Sequence, residues 1–213
     1  MEEYKDWYAE FGERYDEYLD YAKEFAQEVK EKYFIIFGLV QTDILPIIFH
    51  TDYSQRDGKT DYATQGNLQI IEKQNVINVF CCMENVEETM RTIRHEVLHY
   101  MLYIAGMKYK DDTAIFHHLC VEFVAHAYKD MSEDEQVLFN QLTNAISMMK
   151  KIYSENNIPE ENSTSNYLSM LVAVGCNEDN SMYEELYKNG MELFNLFEIK
   201  SRIAKQKEKQ VYG

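Results

Sequence analysis

The sequence predicts an α+β protein, and three observations carry that prediction. Two prolines and 8 glycines in 213 residues leave little to interrupt long helices. Between about residues 34 and 80 the texture changes to short β-branched and aromatic runs separated by turn residues. On either side of that stretch, apolar residues recur at three- and four-residue steps, the period of a helix with one buried face. The order that results is an N-terminal helix, a small mixed β-sheet, a helix paired with a second helix, and a helical C-terminal region.

Residues 3–33 read as one amphipathic helix, with Trp7, Phe11, Tyr15, Tyr18, Ala22, Phe25 and Val29 on its stripe. Helical periodicity alone accounts for these aromatics as core, without a ligand-stacking role. The runs FIIFGLV, LPIIFHT, GNLQIIE and NVINVFCC predict three or four strands, with a turn at Arg56-Asp57-Gly58. From Asn85 to Gly106 the spacing is helical again, with Val86, Met90, Ile93, Val97, Met101 and Ile104 on one broad face. Met107–Asp111 is a turn, and Asp112 or Thr113 is the expected N-cap of a helix running to about Lys129. Beyond Met131, residues 133–154 and 181–207 read as helices. The polar stretch NNIPEENSTSN reads as a loop, leading into the short apolar run YLSMLVAVG. This divides the chain into a domain over 1–130 and a helical extension over 131–213 packed on it.

Composition narrows the function classes. Lys plus Arg is 21 and Asp plus Glu is 37, a formal charge of −16. Such a chain repels nucleic acid and anionic membrane, so charge argues against a nucleic-acid partner and against a membrane. The basic C-terminal stretch, with Lys200, Arg202, Lys205, Lys207 and Lys209, reads as a solvated helix end. No run of about 18 apolar residues is present to span a bilayer, and the acidic start lacks the apolar core of a secretory leader. Cys81, Cys82, Cys120 and Cys176 form no C-x-x-C pair, so a reduced, cytoplasmic protein is expected. The cysteines and His50 read as packing or structural residues.

One motif carries chemistry. His95-Glu96-Val97-Leu98-His99 is H-E-x-x-H within a predicted helix. The i, i+4 spacing puts both imidazoles on one helix face, close enough for a single Zn²⁺. Glu96 beside them is the candidate general base, able to take a proton from water and pass it to a leaving amine.

A catalytic zinc site wants three protein ligands and one open position. If the two helices fold back about the 107–111 turn, residue 99 lies near 119 and residue 95 near 123. Glu122 then falls level with the histidine pair and is the expected third ligand. His118 and His126 share its helix face by i, i+4 spacing and are alternatives, as are Asp111 and Asp112 in the turn. His126 has a further reading, orienting Glu122 or stabilising a developing oxyanion. His117 points elsewhere.

With these residues in view, the chain resembles a minimal zincin, a small H-E-x-x-H metallopeptidase domain. The stretch TIRHEVLHYMLYIAGMKY resembles SprT-like proteins, in which a later histidine usually completes the site; here Asp111 stands near that position. Glu122-Phe123-Val124-Ala125 with Tyr128 is similar to the E-x-x-A-x-x-F pattern of ImmA/IrrE-like peptidases. That resemblance implies Glu122 as third metal ligand. The likeness covers roughly residues 34–130.

The function expected is therefore that of a zinc-dependent metalloendopeptidase acting on a protein or peptide substrate. A substrate strand would pair with the sheet edge in the 66–80 region, and the acidic surface favours basic or neutral peptides. The alternative is a catalytically silent zinc-binding acidic protein that holds a regulatory or host partner.

Overall fold

A computed structural model describes residues 2–50, 66–71, 74–81, 85–127, 130–177 and 181–212. The Arg56-Asp57-Gly58 turn, Cys82 and Tyr128 lie outside the described residues, as do the side chains of Trp7 and Phe11. The elements are α1 (Glu2–Lys32), α2 (Phe34–Phe37), β1 (Ile47–His50), β2 (Gly66–Ile71), β3 (Gln74–Phe80), α3 (Val86–Ile104), α4 (Ala114–Glu122), α5 (Glu133–Glu155), α6 (Glu160–Gly175) and α7 (Glu184–Tyr212), with a single 3-10 turn at Ser181–Tyr183. The α+β prediction holds. By its contacts the chain forms two units, Met1–Ala105 with Leu119–Tyr128, and Gly106–His118 with Lys129–Gly213; the division falls inside α4. No described helix is long and apolar enough to cross a membrane.

The first unit is built on a three-stranded sheet of order β1-β3-β2, with β1 parallel and β2 antiparallel to the central β3. Register pairs Ile47 with Ile77 and Phe49 with Val79. These four side chains are buried, while the intervening Ile48 is exposed. That period-two alternation gives the sheet its inner face. Tyr15 and Tyr18 of α1 bring their rings onto Phe49, and α3 packs against α1, β2 and β3. The predicted stripe of α1 is the one that is buried, from Tyr18 through Ala22 and Phe25 to Val29.

α3 is the central element of this unit. Asn85 caps it, its side chain accepting from the Glu88 amide at 3.3 Å. From His95 to Leu102 every residue is buried, so the helix is enclosed on all sides there.

Two strand and helix predictions need correction in this unit. The run Phe34–Phe37 is a short helix and no strand, because the chain leaves α1 through Tyr33 and keeps turning, with the Gly38 amide donating to the Phe34 carbonyl at 2.8 Å. The helix expected to reach Lys129 stops at Glu122. Val124 takes φ 52, and the Ala125 amide donates back to the Cys120 carbonyl at 2.8 Å, the terminating bond of a Schellman motif. Arg94 of α3 fixes the stop: its Nη1 donates to the carbonyls of Phe123 at 3.2 Å and Val124 at 2.9 Å. A guanidinium there answers the negative end of the α4 dipole. His126 is consequently off the helix and shares no face with His118 and Glu122.

The second unit is helical. Ser132 caps α5, accepting from the Glu135 amide, and the Glu135 carboxylate accepts from the Ala114 amide at 2.8 Å and from Lys108 at 3.3 Å. The stretch read as a loop at NNIPEENSTSN is mostly helix: α6 starts after Pro159 with Glu160 and Glu161 in its first turn. Proline's fixed φ and two acids at the positive end of the dipole start a helix that polar composition alone disguised. The apolar run Leu168–Val174 then forms its buried half. α7 approaches α6 so closely at Gly190 that a Cβ there would lie 1.8 Å from the Ser169 carbonyl oxygen.

Candidate metal centre

The H-E-x-x-H residues come together as their spacing predicts. The Nε2 atoms of His95 and His99 face one another at 3.0 Å, and the rings meet edge to face, 4.5 Å between centroids. Glu96 Oε1 lies 3.9 Å from His95 Nε2. All three residues are buried, at 3%, 2% and 7% exposure for His95, Glu96 and His99. Among the described residues they form one group able to share an ion, their ligand atoms within 4.8 Å of one another.

The donor set suits zinc. Two nitrogens bound tetrahedrally at about 2.0–2.1 Å from one ion stand about 3.3 Å apart, close to the observed separation. His95 is also held in the required tautomer. Its Nδ1 lies 2.7 Å from the His126 carbonyl oxygen. A carbonyl only accepts, so Nδ1 carries the proton and Nε2 presents its lone pair to the cluster.

Glu96 is placed by the sheet as well as by its helix. Gly66, at the start of the edge strand β2, sits directly against it: a Cβ there would fall 2.5 Å from Glu96 Oε1 and 2.6 Å from its Cγ. The absence of a side chain at residue 66 is what lets the carboxylate occupy its position.

The other predicted ligands have contacts of their own. Glu122 Oε1 accepts from Lys32 Nζ at 2.7 Å and Oε2 from the hydroxyl of Tyr33. Lys32 in turn lies over the Phe123 ring, 5.1 Å from its centroid. His126 donates from Nε2 to Glu88 Oε2 at 2.6 Å, and its backbone carbonyl reaches His95. His118 Nε2 lies 2.9 Å from the Tyr167 hydroxyl within the second unit, to which Asp111 and Asp112 also belong. His50 binds Asn78 at 2.9 Å and stacks on Phe80, as a structural residue does. Cys81, Cys120 and Cys176 are buried.

Sequence reading missed four contributors: Arg94, Glu88, Lys32 and Tyr33. Glu88 alone had a signal, since it stands seven residues before His95 and so shares its helix face. Arg94 acts through backbone carbonyls, which leave no trace in a sequence.

No family model matches the chain, and no significant match is found among curated proteins or solved structures.

Proposed function

We propose that this chain is a zinc-dependent metallopeptidase whose site is centred on His95, Glu96 and His99. The observation that carries the reading is the pair of buried Nε2 atoms facing each other at 3.0 Å with a buried carboxylate beside them. Helical spacing brings the two rings to one face, and their burial with the Nε2 atoms turned toward each other is what favours a shared ion. His95 and His99 would hold the ion, and Lewis acidity toward a peptide carbonyl is the chemistry zinc supplies there. Glu96 takes the proton of the attacking water and returns it to the leaving amine. β2 lies at the edge of the sheet, beside Glu96 through Gly66, and a substrate strand pairs along it. The charge of −16 favours a neutral or basic peptide.

Glu122 is the proposed third ligand. Its carboxylate accepts from Lys32 and Tyr33, and a carboxylate has lone pairs enough to keep both partners, which would orient it, while ligating an ion.

Replacement of Glu96 by Gln tests the mechanism. The amide keeps the volume and loses the basicity, so peptide cleavage falls by about 100-fold or more while zinc content is unchanged. Turnover persisting in Glu96→Gln contradicts the role given to the carboxylate.

A further inference from the structure

The segment after α4 is tied to α3 at three points. Arg94 Nη1 holds the carbonyls of Phe123 and Val124, His95 Nδ1 donates to the carbonyl of His126, and the His126 ring donates to Glu88. Glu88, Arg94 and His95 all stand on one helix, so the strap 123–127 is fastened along α3 from its second residue pair to the first histidine of the motif. We propose that Glu88 and His126 are positioning residues for His95. Their hydrogen bond anchors the one residue whose carbonyl dictates which His95 nitrogen carries the proton.

The link between Glu88 and His95 is a single residue. His126 uses its side chain to grip Glu88 and its backbone oxygen to grip His95. Its ring and its carbonyl are linked through a few covalent bonds, so fixing the ring on Glu88 at 2.6 Å limits where the carbonyl can be. The carbonyl at 2.7 Å then keeps the His95 proton on Nδ1, and Nε2 stays available toward His99. The Glu88 side chain is 35% exposed and that of His126 18%. A partly exposed pair of this kind contributes little to overall stability, and its position behind a histidine of the motif gives it a specific consequence instead. Groups that fix a ligand histidine's other nitrogen change metal affinity by about 10–100-fold when removed.

This inference rests on the metal reading only for its second readout. The first readout is the His95 tautomer in the metal-free protein, followed by nitrogen-15 imidazole spectra of the full chain. The parent shows His95 protonated at Nδ1 alone. In Glu88→Ala, and independently in His126→Ala, the signal shifts to a mixture of both tautomers, and the zinc dissociation constant rises by about 10-fold. Glu88→Gln, whose amide oxygen still accepts from the His126 ring, keeps the parent tautomer and the parent affinity. Two variants at opposite ends of the same bond guard against one of them failing to fold. An unchanged Nδ1–H signal in both alanine variants overturns the proposal. A parent protein with the expected tautomer that takes up no zinc overturns the metal reading and leaves the positioning role standing.

Discussion

Gly66 lies against Glu96 with no room for a side chain: a Cβ on the glycine would stand 2.5 Å from the carboxylate Oε1. An edge strand and the acid of the H-E-x-x-H helix are thereby fitted to each other, and the fit is directly testable. In Gly66→Ala the new methyl displaces the buried Glu96 carboxylate, because β2 is held by its ladder to β3 from Gly66 to Ile71. Cleavage is expected to fall by about 10–100-fold, as misplacing a catalytic group by about 1 Å costs, with zinc content preserved. Kinetics beside elemental analysis separate the two effects, and parent-level turnover in Gly66→Ala would show that Glu96 does not need its present position.

The stop of α4 stores strain that can be relieved. Val124 is a β-branched residue at φ 52, in the left-handed region, and its side chain is exposed, so little packing is lost on removing it. Left-handed backbone costs a non-glycine residue about 1–2 kcal/mol, partly offset by the larger unfolded-state entropy of glycine. Val124→Gly is therefore expected to stabilise the first unit by about 0.5–1 kcal/mol. A rise in the urea midpoint at constant slope reads it out, and a fall would mean that Val124 carries no strain that glycine relieves.

At high pH the second unit weakens through Tyr183. Burial, with the nearby Cys176 adding to it, pushes its hydroxyl up from 10.0 to about 12. The folded state thus favours the neutral phenol. Stability from this group is fully present below pH 10, the ordinary value, and is lost as the pH climbs from there through about 12. Denaturant unfolding at about pH 9 and about pH 11 measures the loss, and Tyr183→Phe is expected to shrink it. An equal loss in that variant would assign the effect to other tyrosines, such as Tyr21 and Tyr100, whose hydroxyls burial also raises.

What the sequence made legible was periodic or motif-borne. The buried stripe of α1 and the pairing of His95 with His99 follow from helical spacing alone, and three of the four β-branched runs are strands. What it concealed depends on contacts distant in the chain. α4 ends where it does because Arg94, about thirty residues earlier, takes the carbonyls of Phe123 and Val124 just beyond it. His95 is oriented by a backbone oxygen that any residue at 126 would carry. Glu122 was placed level with the histidines by counting from the turn, and its partners Lys32 and Tyr33 are supplied by the end of α1, which no local pattern announces. Phe34–Phe37 has strand-like composition and is helical because it continues the turn of the chain beyond α1.

The central claim is that His95 and His99 hold a metal ion, and zinc content tests it most directly. Purified protein supplied with zinc and then exhaustively dialysed is analysed by elemental mass spectrometry beside His99→Ala and Glu122→Ala. The account predicts about one zinc per chain in the parent, almost none in His99→Ala, and reduced occupancy in Glu122→Ala. A parent that retains no zinc, or a His99→Ala variant that retains as much as the parent, would contradict it.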